Sequence, residues 1–290
     1  MIYILENKKL RVSASTNGGE LNSVFNKDNN TEYLWDGNPS GWKYHAPILF
    51  PIVGKVVNSK YKVNNKVYEL PQHGLARISK FNVIYKDDTS IIFELTYSEK
   101  TLEVYPFKFK LNCEYMLEDN KIDVKYRVIN LDSKDIYFSI GSHPAFICPR
   151  EKETIQDYYL EFNKEENVSI KLLTEDGYLS REERVYLKNS KVIDLKEDTF
   201  KNDALIFSSL QSDEVTLKCR NNNKSVSINF KGFPYLGIWS PTNGANLICI
   251  EPWFGHADYY DFNEDFSKKD GIIKLNKDKS FECSYSISIN

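Results

Sequence analysis

The sequence lacks the features that mark several large protein classes. No apolar run approaches the roughly 18 consecutive residues of a membrane helix, and the N-terminal residues show no signal-peptide pattern. The 38 basic and 41 acidic residues are mixed along the chain and give a net charge of -3. The sequence therefore lacks the basic stripe that would indicate nucleic-acid binding. We expect neither a membrane nor a nucleic acid as a partner.

Cysteine is scarce and shows no pairing pattern. The residues are odd in number, far apart and form no C-x-x-C motif: Cys113, Cys148, Cys219, Cys249 and Cys283. This distribution is typical of reduced, mostly buried thiols in the cytoplasm, and it favours neither a disulfide framework nor a zinc site. We therefore predict a cytoplasmic protein without a metal centre.

Helical periodicity is nearly absent, whereas apolar and polar residues alternate repeatedly. Residues 107–117 alternate in this way, and residues 122–128 do so again after a polar turn, which predicts a long antiparallel hairpin. A shorter hairpin is predicted over residues 61–70, because Asn64 and Asn65 tolerate the positive φ of a tight turn. Further strands are predicted at residues 205–207, 215–217, 225–230, 236–239, 246–250 and 281–289.

Many strands without a βαβ rhythm predict an all-β fold, and 41% hydrophobic residues allow a sizeable core. We expect one large antiparallel β-sandwich domain over residues 1–290, since no linker, repeat or composition shift marks a boundary. Residues 151–184 are more charged and are predicted to carry long loops. One short helical turn is expected within residues 258–266.

Two residues stand in settings that suit acid–base chemistry. His143 ends a predicted strand in a Gly-Ser-His-Pro stretch, where the proline keeps it extended or in a turn. An imidazole held in this way can be aimed at a ligand, although it could equally be a buried histidine bonded to a loop carbonyl.

The second such residue, Glu251, is predicted to end the apolar strand 246–250, and Trp253 lies close beside it. Desolvation there should raise the pKa of Glu251 towards values useful for a general base. The aromatic residue also offers an apolar face for a sugar ring. The alternative is a structural glutamate paired with an interior arginine.

Three cationic or ionisable residues form weaker candidates. His73 precedes a glycine at a strand end, which should leave its imidazole accessible in a loop. Arg77, four residues later, offers a fork of donors for hydroxyl, carboxylate or phosphate groups. Lys55 follows an apolar run broken by glycine. Taken alone, His73 and Arg77 are as readily solvated surface side chains, and for Lys55 a solvated side chain is the better interpretation.

Asp203 precedes a predicted strand, a position that is usually a turn. Asp203 and Glu251 could be imagined as the carboxylate pair of a glycosidase. His256 could suggest a metal site with His73 and His143, but no tight ligand spacing supports one.

Taken together and in this order, these stretches resemble the aldose 1-epimerase (galactose mutarotase-like) family, and within it the LacX-like branch. The resemblance covers nearly the whole chain, through residues 49–55, 61–70, 72–77, 141–146, 203–207, 233–239 and 249–255. It implies a supersandwich of antiparallel strands with a sugar cleft across one sheet. It also implies interconversion of the α and β anomers of a sugar by ring opening, without a cofactor.

The resemblance further implies roles for individual residues. His143 matches the general acid and Glu251 the general base, and the acid must then be a charged imidazolium at neutral pH. His73, Arg77 and Asp203 match residues that bind the sugar.

Two departures limit what the family implies. Lys55 stands where related sequences often have arginine, which weakens a planar contact at that position. Ser142 precedes His143 where the galactose mutarotases proper usually have asparagine, so their sugar preference does not transfer. His256 receives no role.

Three functions remain open from the sequence. The chain could be a mutarotase of free aldohexoses, a hexose-6-phosphate 1-epimerase that uses Arg77 and Lys55 for the phosphate, or a non-catalytic sugar-binding or sensing protein. The presence of both His143 and Glu251 favours catalysis, because a binding protein needs polar groups but no acid–base pair. We expect a small-molecule aldose as partner and a monomer or homodimer.

Overall fold

A computed structural model describes residues 1–150 and 152–290, and the strands in it pair antiparallel. The strands are β1 (Ile2–Glu6), β2 (Leu10–Ser15), β3 (Leu21–Asn26), β4 (Thr31–Glu32), β5 (Ile48–Leu49), β6 (Lys60–Val63), β7 (Lys66–Glu69), β8 (Asn82–Lys86), β9 (Ser90–Thr96), β10 (Phe109–Glu118), β11 (Lys121–Asn130), β12 (Ile136–Phe138), β13 (Ile140–Ser142), β14 (Ala145–Ile147), β15 (Tyr158–Leu173), β16 (Leu179–Asp194), β17 (Leu205–Ser208), β18 (Glu214–Cys219), β19 (Ser225–Asn229), β20 (Tyr235–Trp239), β21 (Leu247–Phe254), β22 (Ile273–Leu275) and β23 (Ser280–Ile289). The helical segments are α1 (Glu99–Val104) and short 3-10 turns at Val57–Ser59, Ala76–Ile78, Ile155–Asp157 and Phe266–Lys268.

Most strands belong to one sheet of 15, in the order β5-β13-β21-β20-β17-β15-β18-β19-β23-β11-β10-β9-β8, with β14 beside β21 and β16 beside β15. Strands β1 to β4 form a second sheet, and β6–β7 and β12–β22 form two small ones. The main cluster of buried apolar side chains extends from Leu5 to Ile289. The all-β prediction of a large antiparallel sandwich is therefore confirmed.

Both predicted hairpins are present. β10 and β11 pair along their whole length, from Phe109 opposite Asn130 to Glu118 opposite Lys121, and apolar side chains alternate into the core. In the β6–β7 hairpin the turn residues Asn64 and Asn65 have φ values of 51° and 64°. Asparagine is among the few residues that adopt this left-handed conformation readily, so the sequence signal had a direct physical cause.

The prediction of long loops over residues 151–184 is wrong for most of that range. Residue 151 lies outside the described residues, but β15 and β16 are paired strands of 16 residues each. Their pairing contains several register shifts, which interrupt the alternation of apolar and polar residues. Charged side chains on the exposed face then made the segment resemble a loop.

The helical content matches the prediction only in part. Within residues 258–266 the structure has a hydrogen-bonded turn, in which the Phe262 N–H donates to the Tyr259 carbonyl at 2.9 Å, and the 3-10 turn over Phe266–Lys268 begins at the end of that range. The sequence interpretation missed α1, which is only 6 residues long and begins with a capping box between Ser98 and Thr101. Among the described residues, no helix has the length and apolar character needed to cross a membrane.

Strand β21 extends further than predicted. Residues 246–250 were expected to be the strand, with Glu251 at its end, but β21 continues through Pro252 to Phe254. Strand pairing beside β21 is interrupted between β13 and β14. Pro252 faces this interruption, so the N–H that proline lacks is not needed for pairing there. Glu251 is therefore held by strand pairing on the rigid part of the sheet.

Candidate active site

The register of the large sheet brings His143 and Glu251 together. Ala145 in β14 pairs with Cys249 in β21, and β13 pairs with β21 in the same register. His143 joins β13 to β14 and therefore lies opposite Glu251. Facing residues of antiparallel strands approach within side-chain contact, so the pairing of strands alone places the imidazole against the carboxyl group.

The two side chains meet in a buried setting. His143 Nε2 lies 3.2 Å from Glu251 Oε1, and Trp253 Nε1 donates a hydrogen bond to Glu251 Oε2 at 3.2 Å. The Glu251 side chain is 1% exposed. Gly237 faces Glu251 from β20, and a Cβ there would lie 2.4 Å from the Trp253 ring. Glycine at this position therefore makes room for the indole that holds the carboxyl group.

Burial disfavours charge on both members of this pair. It raises the pKa of Glu251 well above its usual value; the hydrogen bond from Trp253 opposes this shift and the charge of Asp203 adds to it. Burial lowers the pKa of His143 to about 3, and the positive charge of Arg77 acts in the same direction. The contact is therefore a neutral hydrogen bond that holds one proton. These shifts favour a neutral imidazole over the expected imidazolium, because desolvation penalises the charged form.

His73 is buried, whereas the sequence suggested an accessible loop side chain. Its φ of 63° folds the turn back onto Gly54, whose carbonyl accepts from the His73 N–H at 2.8 Å. The Gly54 N–H in turn donates to His73 Nδ1 at 3.1 Å. Since burial lowers the pKa of His73, the ring is neutral with its proton on Nε2. It lies edge-on to the His143 ring, 5.3 Å away, and its Nε2 lies 3.3 Å from the side-chain amide of Gln72.

Arg77 follows His73 in the 3-10 turn Ala76–Ile78. Its Nη2 donates to the Gln72 carbonyl at 2.6 Å, and its guanidinium carbon lies 4.7 Å from the centre of the Tyr44 ring. The buried Nε has no hydrogen-bond partner among the described residues. Arg77 is thus held in place by its contacts and still has donors for a ligand.

Lys55 and Asp203 lie at the side of the same cavity. Lys55 Nζ donates to the carbonyl of Asp176 at 2.7 Å, next to Gly177 in the turn between β15 and β16. Asp203 is exposed, has a φ of 72°, and accepts a hydrogen bond from the Ala204 N–H at 2.8 Å. Its turn conformation was expected, and this turn directs a carboxylate to the cavity.

Two tryptophans that the sequence interpretation did not select contact His143. Trp42 stacks on the imidazole, with ring centres 4.7 Å apart and an interplanar angle of 26°, and Trp239 meets it edge-on at 5.8 Å. His143 Nδ1 is buried and has no hydrogen-bond partner in the described part of the chain. Aromatic packing therefore orients this ring, a task that a hydrogen bond at the second nitrogen usually performs.

All the predicted site residues line one cavity of about 350 Å³. They are Lys55, His73, Arg77, His143, Asp203, Glu251 and Trp253. Trp42, Gln72 and Trp239 complete its polar and aromatic lining. A larger surface depression of about 550 Å³ elsewhere is lined by basic and amide side chains such as Arg220 and Asn222. The smaller cavity is the candidate active site because it contains the acid–base pair.

The structure also bears on metal binding. His143, Cys249 and Glu251 have one ligand-type atom each, and these atoms lie within 4.8 Å of one another. These three residues could hold a metal ion, but the cysteine is packed in an apolar cluster and burial raises the pKa of its thiol. Only the thiolate is a metal ligand. His256 instead contacts the Ala257 carbonyl through Nδ1, at 2.7 Å, and Asp270 through Nε2.

Comparison with known proteins relates both sequence and fold to one family. The family model described as aldose 1-epimerase matches residues 1–269. The plasmid-encoded protein LacX of Lactococcus lactis subsp. lactis is 34% identical over 298 aligned residues, covering 100% of this chain and 99% of the relative.

Two solved structures share the fold closely. A galactose mutarotase related enzyme from Lactobacillus acidophilus is 35% identical, with a TM-score of 0.95 and coverage of 100% of this chain and 97% of that one. A galactose mutarotase-like protein from Lactobacillus casei is 29% identical, with a TM-score of 0.95 and full coverage of both chains, 100% each.

Proposed function

Because the chain belongs to the aldose 1-epimerase family, we propose that it is a mutarotase that interconverts the α and β anomers of a free aldohexose. The observation that carries this proposal is the His143–Glu251 pair in a cavity of about 350 Å³. Both groups are buried, both have pKa values shifted by burial, and they touch each other at the wall of a cavity, which is an arrangement typical of acid–base sites.

The proton count of mutarotation matches this pair. Ring opening removes a proton from the C1 hydroxyl and adds one to the ring oxygen; after rotation about the C1–C2 bond the same steps run in reverse. One base and one acid are sufficient, and no proton is gained or lost overall. A neutral pair that holds a single proton supplies one acceptor and one donor at every stage.

The single proton must reach the imidazole before the reaction. In the resting protein it resides on Glu251, as the directions of both pKa shifts indicate. Transfer across the 3.2 Å hydrogen bond gives carboxylate and imidazolium without changing the net charge of the site. Glu251 then takes the proton of the C1 hydroxyl, and His143 protonates the ring oxygen.

The remaining lining residues are assigned to sugar binding. His73 and Arg77 would donate hydrogen bonds to hydroxyl oxygens, and Asp203 would accept them. Trp253 offers an apolar face to the ring. Lys55 is the least available of these groups, because its ammonium already donates to the Asp176 carbonyl.

A free hexose is favoured over a hexose 6-phosphate by the existing contacts of the two cations. Lys55 is occupied by a backbone carbonyl, and one guanidinium nitrogen of Arg77 by another. Each cation keeps further N–H donors, which can serve hydroxyl groups one at a time. Because both cations are held at separate backbone carbonyls, a phosphate that needs both charges at once would have to draw them together. A non-catalytic sugar-binding protein would not need the buried acid–base pair.

Polarimetry of freshly dissolved α-D-glucose and α-D-galactose tests the proposal. Wild-type protein should accelerate the decay of optical rotation, and Glu251→Gln should reduce the enzymatic rate about 10²–10⁴-fold. Glu264→Gln, at an exposed position, serves as the matched control and should keep full activity. Failure of the wild type to accelerate either sugar, in parallel with acceleration on glucose 6-phosphate, would move the assignment to a phosphorylated substrate.

We place this activity in the cytoplasm and treat residues 1–290 as one domain that acts as a monomer or homodimer. The five cysteines are free thiols, and four of them are buried. Free thiols persist in a reducing compartment, which supports this location. The proposed reaction requires no cofactor.

A further inference from the structure

Asp258 and Lys269 form an ion pair that is almost completely removed from solvent. Lys269 Nζ lies 2.7 Å from Asp258 Oδ1, and the two side chains are 1% and 2% exposed respectively. The desolvation of two charges often costs as much free energy as their attraction returns, so stability alone seldom explains such a pair. The contacts of Asp258 indicate a different purpose.

Asp258 joins three segments of the chain. Its Oδ2 accepts a hydrogen bond from the Val57 N–H at 3.0 Å, and its own N–H donates to the Lys55 carbonyl at 2.8 Å. Its carbonyl accepts from the Leu179 N–H at 2.8 Å. The residue thereby ties the segment 54–57 to the end of the β15–β16 turn, while Lys269 ties both to the loop before β22.

Two of these segments form one side of the candidate active site. Lys55 and Gly177 both line the cavity, and Lys55 Nζ bridges their segments by donating to the Asp176 carbonyl at 2.7 Å. Neither charge of the buried pair reaches the cavity itself. Any influence on a sugar must therefore pass through the backbone that Asp258 holds.

Gly54 extends this connection to His73. A Cβ at Gly54 would lie 2.7 Å from the Ala257 Cβ, so the segment before Asp258 packs directly on it. On its other side, Gly54 exchanges two hydrogen bonds with His73, at 2.8 and 3.1 Å. The position of a proposed sugar-binding imidazole therefore depends on the same segment.

We propose that Asp258 and Lys269 are positioning residues that fix the wall formed by Gly54, Lys55 and Gly177, and that they set sugar affinity without taking part in proton transfer. The kinetic part of this inference rests on the proposed mutarotase function. The His143–Glu251 pair is held separately, by the register of β13, β14 and β21. Loss of the ion pair should therefore change sugar binding more than chemistry.

Lys269→Met tests the inference, because methionine keeps most of the apolar stem and removes the charge. We expect KM for the sugar to rise about tenfold or more, since small displacements of positioning groups are costly, while kcat stays within about threefold. Lys269→Arg keeps the charge and should recover part of the affinity. If Lys269→Met does not fold, the double variant with Asp258→Asn removes the unpaired buried charge and should show the same KM effect.

Glu166→Gln is the matched control. Glu166 is equally buried and accepts hydrogen bonds from the backbone N–H groups of Gln211 and Ser212, at 3.1 and 2.7 Å. The control should leave KM unchanged, even if it lowers stability as much. An unchanged KM in Lys269→Met, or a loss of kcat at constant KM, would overturn the inference.

Hydrogen exchange provides a readout that does not depend on mutarotase activity. Amides of residues 54–58 and 174–179 should exchange faster in Lys269→Met than in wild type, and at the wild-type rate in Glu166→Gln. If the wild type proves inactive on every sugar, the proposed function fails while this measurement still decides whether the ion pair holds the wall. Unchanged exchange in both segments would refute the positioning role.

Discussion

Glu251→Gln should make the protein more stable than wild type at neutral and alkaline pH, although it removes activity. Glutamine has the shape of glutamate; its carbonyl can accept from Trp253 Nε1 and its amide can donate to the neutral Nε2 of His143. Both contacts of the carboxyl group are thereby kept. The variant differs in having no buried carboxyl group that must stay protonated.

The sign and size of the effect follow from the raised pKa of Glu251. The carboxyl group has a pKa near 4.5 in the unfolded chain and a higher one in the folded protein. Between these two values the folded state binds one proton more than the unfolded state. The free energy of unfolding of the wild type therefore falls by about 1.4 kcal/mol per pH unit from this group. Its contribution is complete below about pH 4.5 and is lost as the pH rises through the folded pKa.

Urea unfolding of wild type and Glu251→Gln at pH 5, 6, 7 and 8 measures this difference. The variant lacks the slope, so its advantage should grow by about 1.4 kcal/mol per pH unit and become constant above the folded pKa of Glu251. Groups that titrate in both proteins cancel. The exposed control Glu264→Gln should follow the wild type at every pH. An advantage that stays flat, or that shrinks as the pH rises, would show that Glu251 is ionised in the resting protein and would refute the neutral pair.

Two further substitutions test how the pair is positioned. Trp42→Ala removes the ring stacked on His143 and should lower kcat about threefold to tenfold, which corresponds to the free energy of one aromatic contact. Trp42→Phe should recover most of the lost kcat. An equal kcat in the wild type and both variants would exclude an orienting role for Trp42. Gly237→Ala places a methyl group against the Trp253 ring and should destabilise the protein by about 1–3 kcal/mol in urea unfolding while reducing polarimetric activity. Wild-type stability and activity in that variant would contradict the packing described for Gly237.

Much of the fold was predictable because strand pairing leaves a local pattern. In β10 and β11 every second side chain enters the core, so the alternation of the sequence reports the structure directly. Strands β15 and β16 were missed because their register shifts break that alternation. Helix α1 was missed because 6 residues are too few to show a period of 3.6.

Some features of the candidate site were likewise predictable from the sequence, whereas others were not. The sequence alone determined that His143 and Glu251 stand beside proline and aromatic residues in or next to strands, and the chemistry of those settings was enough to select them. Their contact was decided by the register of β13, β14 and β21. The tertiary structure also decided that both side chains are buried, and burial is what favours the neutral form of each.

Trp42 and the Asp258–Lys269 pair became visible only in the folded structure. The loop that carries Trp42 is anchored by contacts with distant residues, among them the hydrogen bond from Asn243 Nδ2 to the Gly41 carbonyl at 2.9 Å. Lys269 looks like any surface lysine in the sequence, yet its side chain is 1% exposed. Composition and spacing indicate the local conformation and setting that each residue favours. Tertiary packing decides which distant group contacts that residue and whether water can reach the contact.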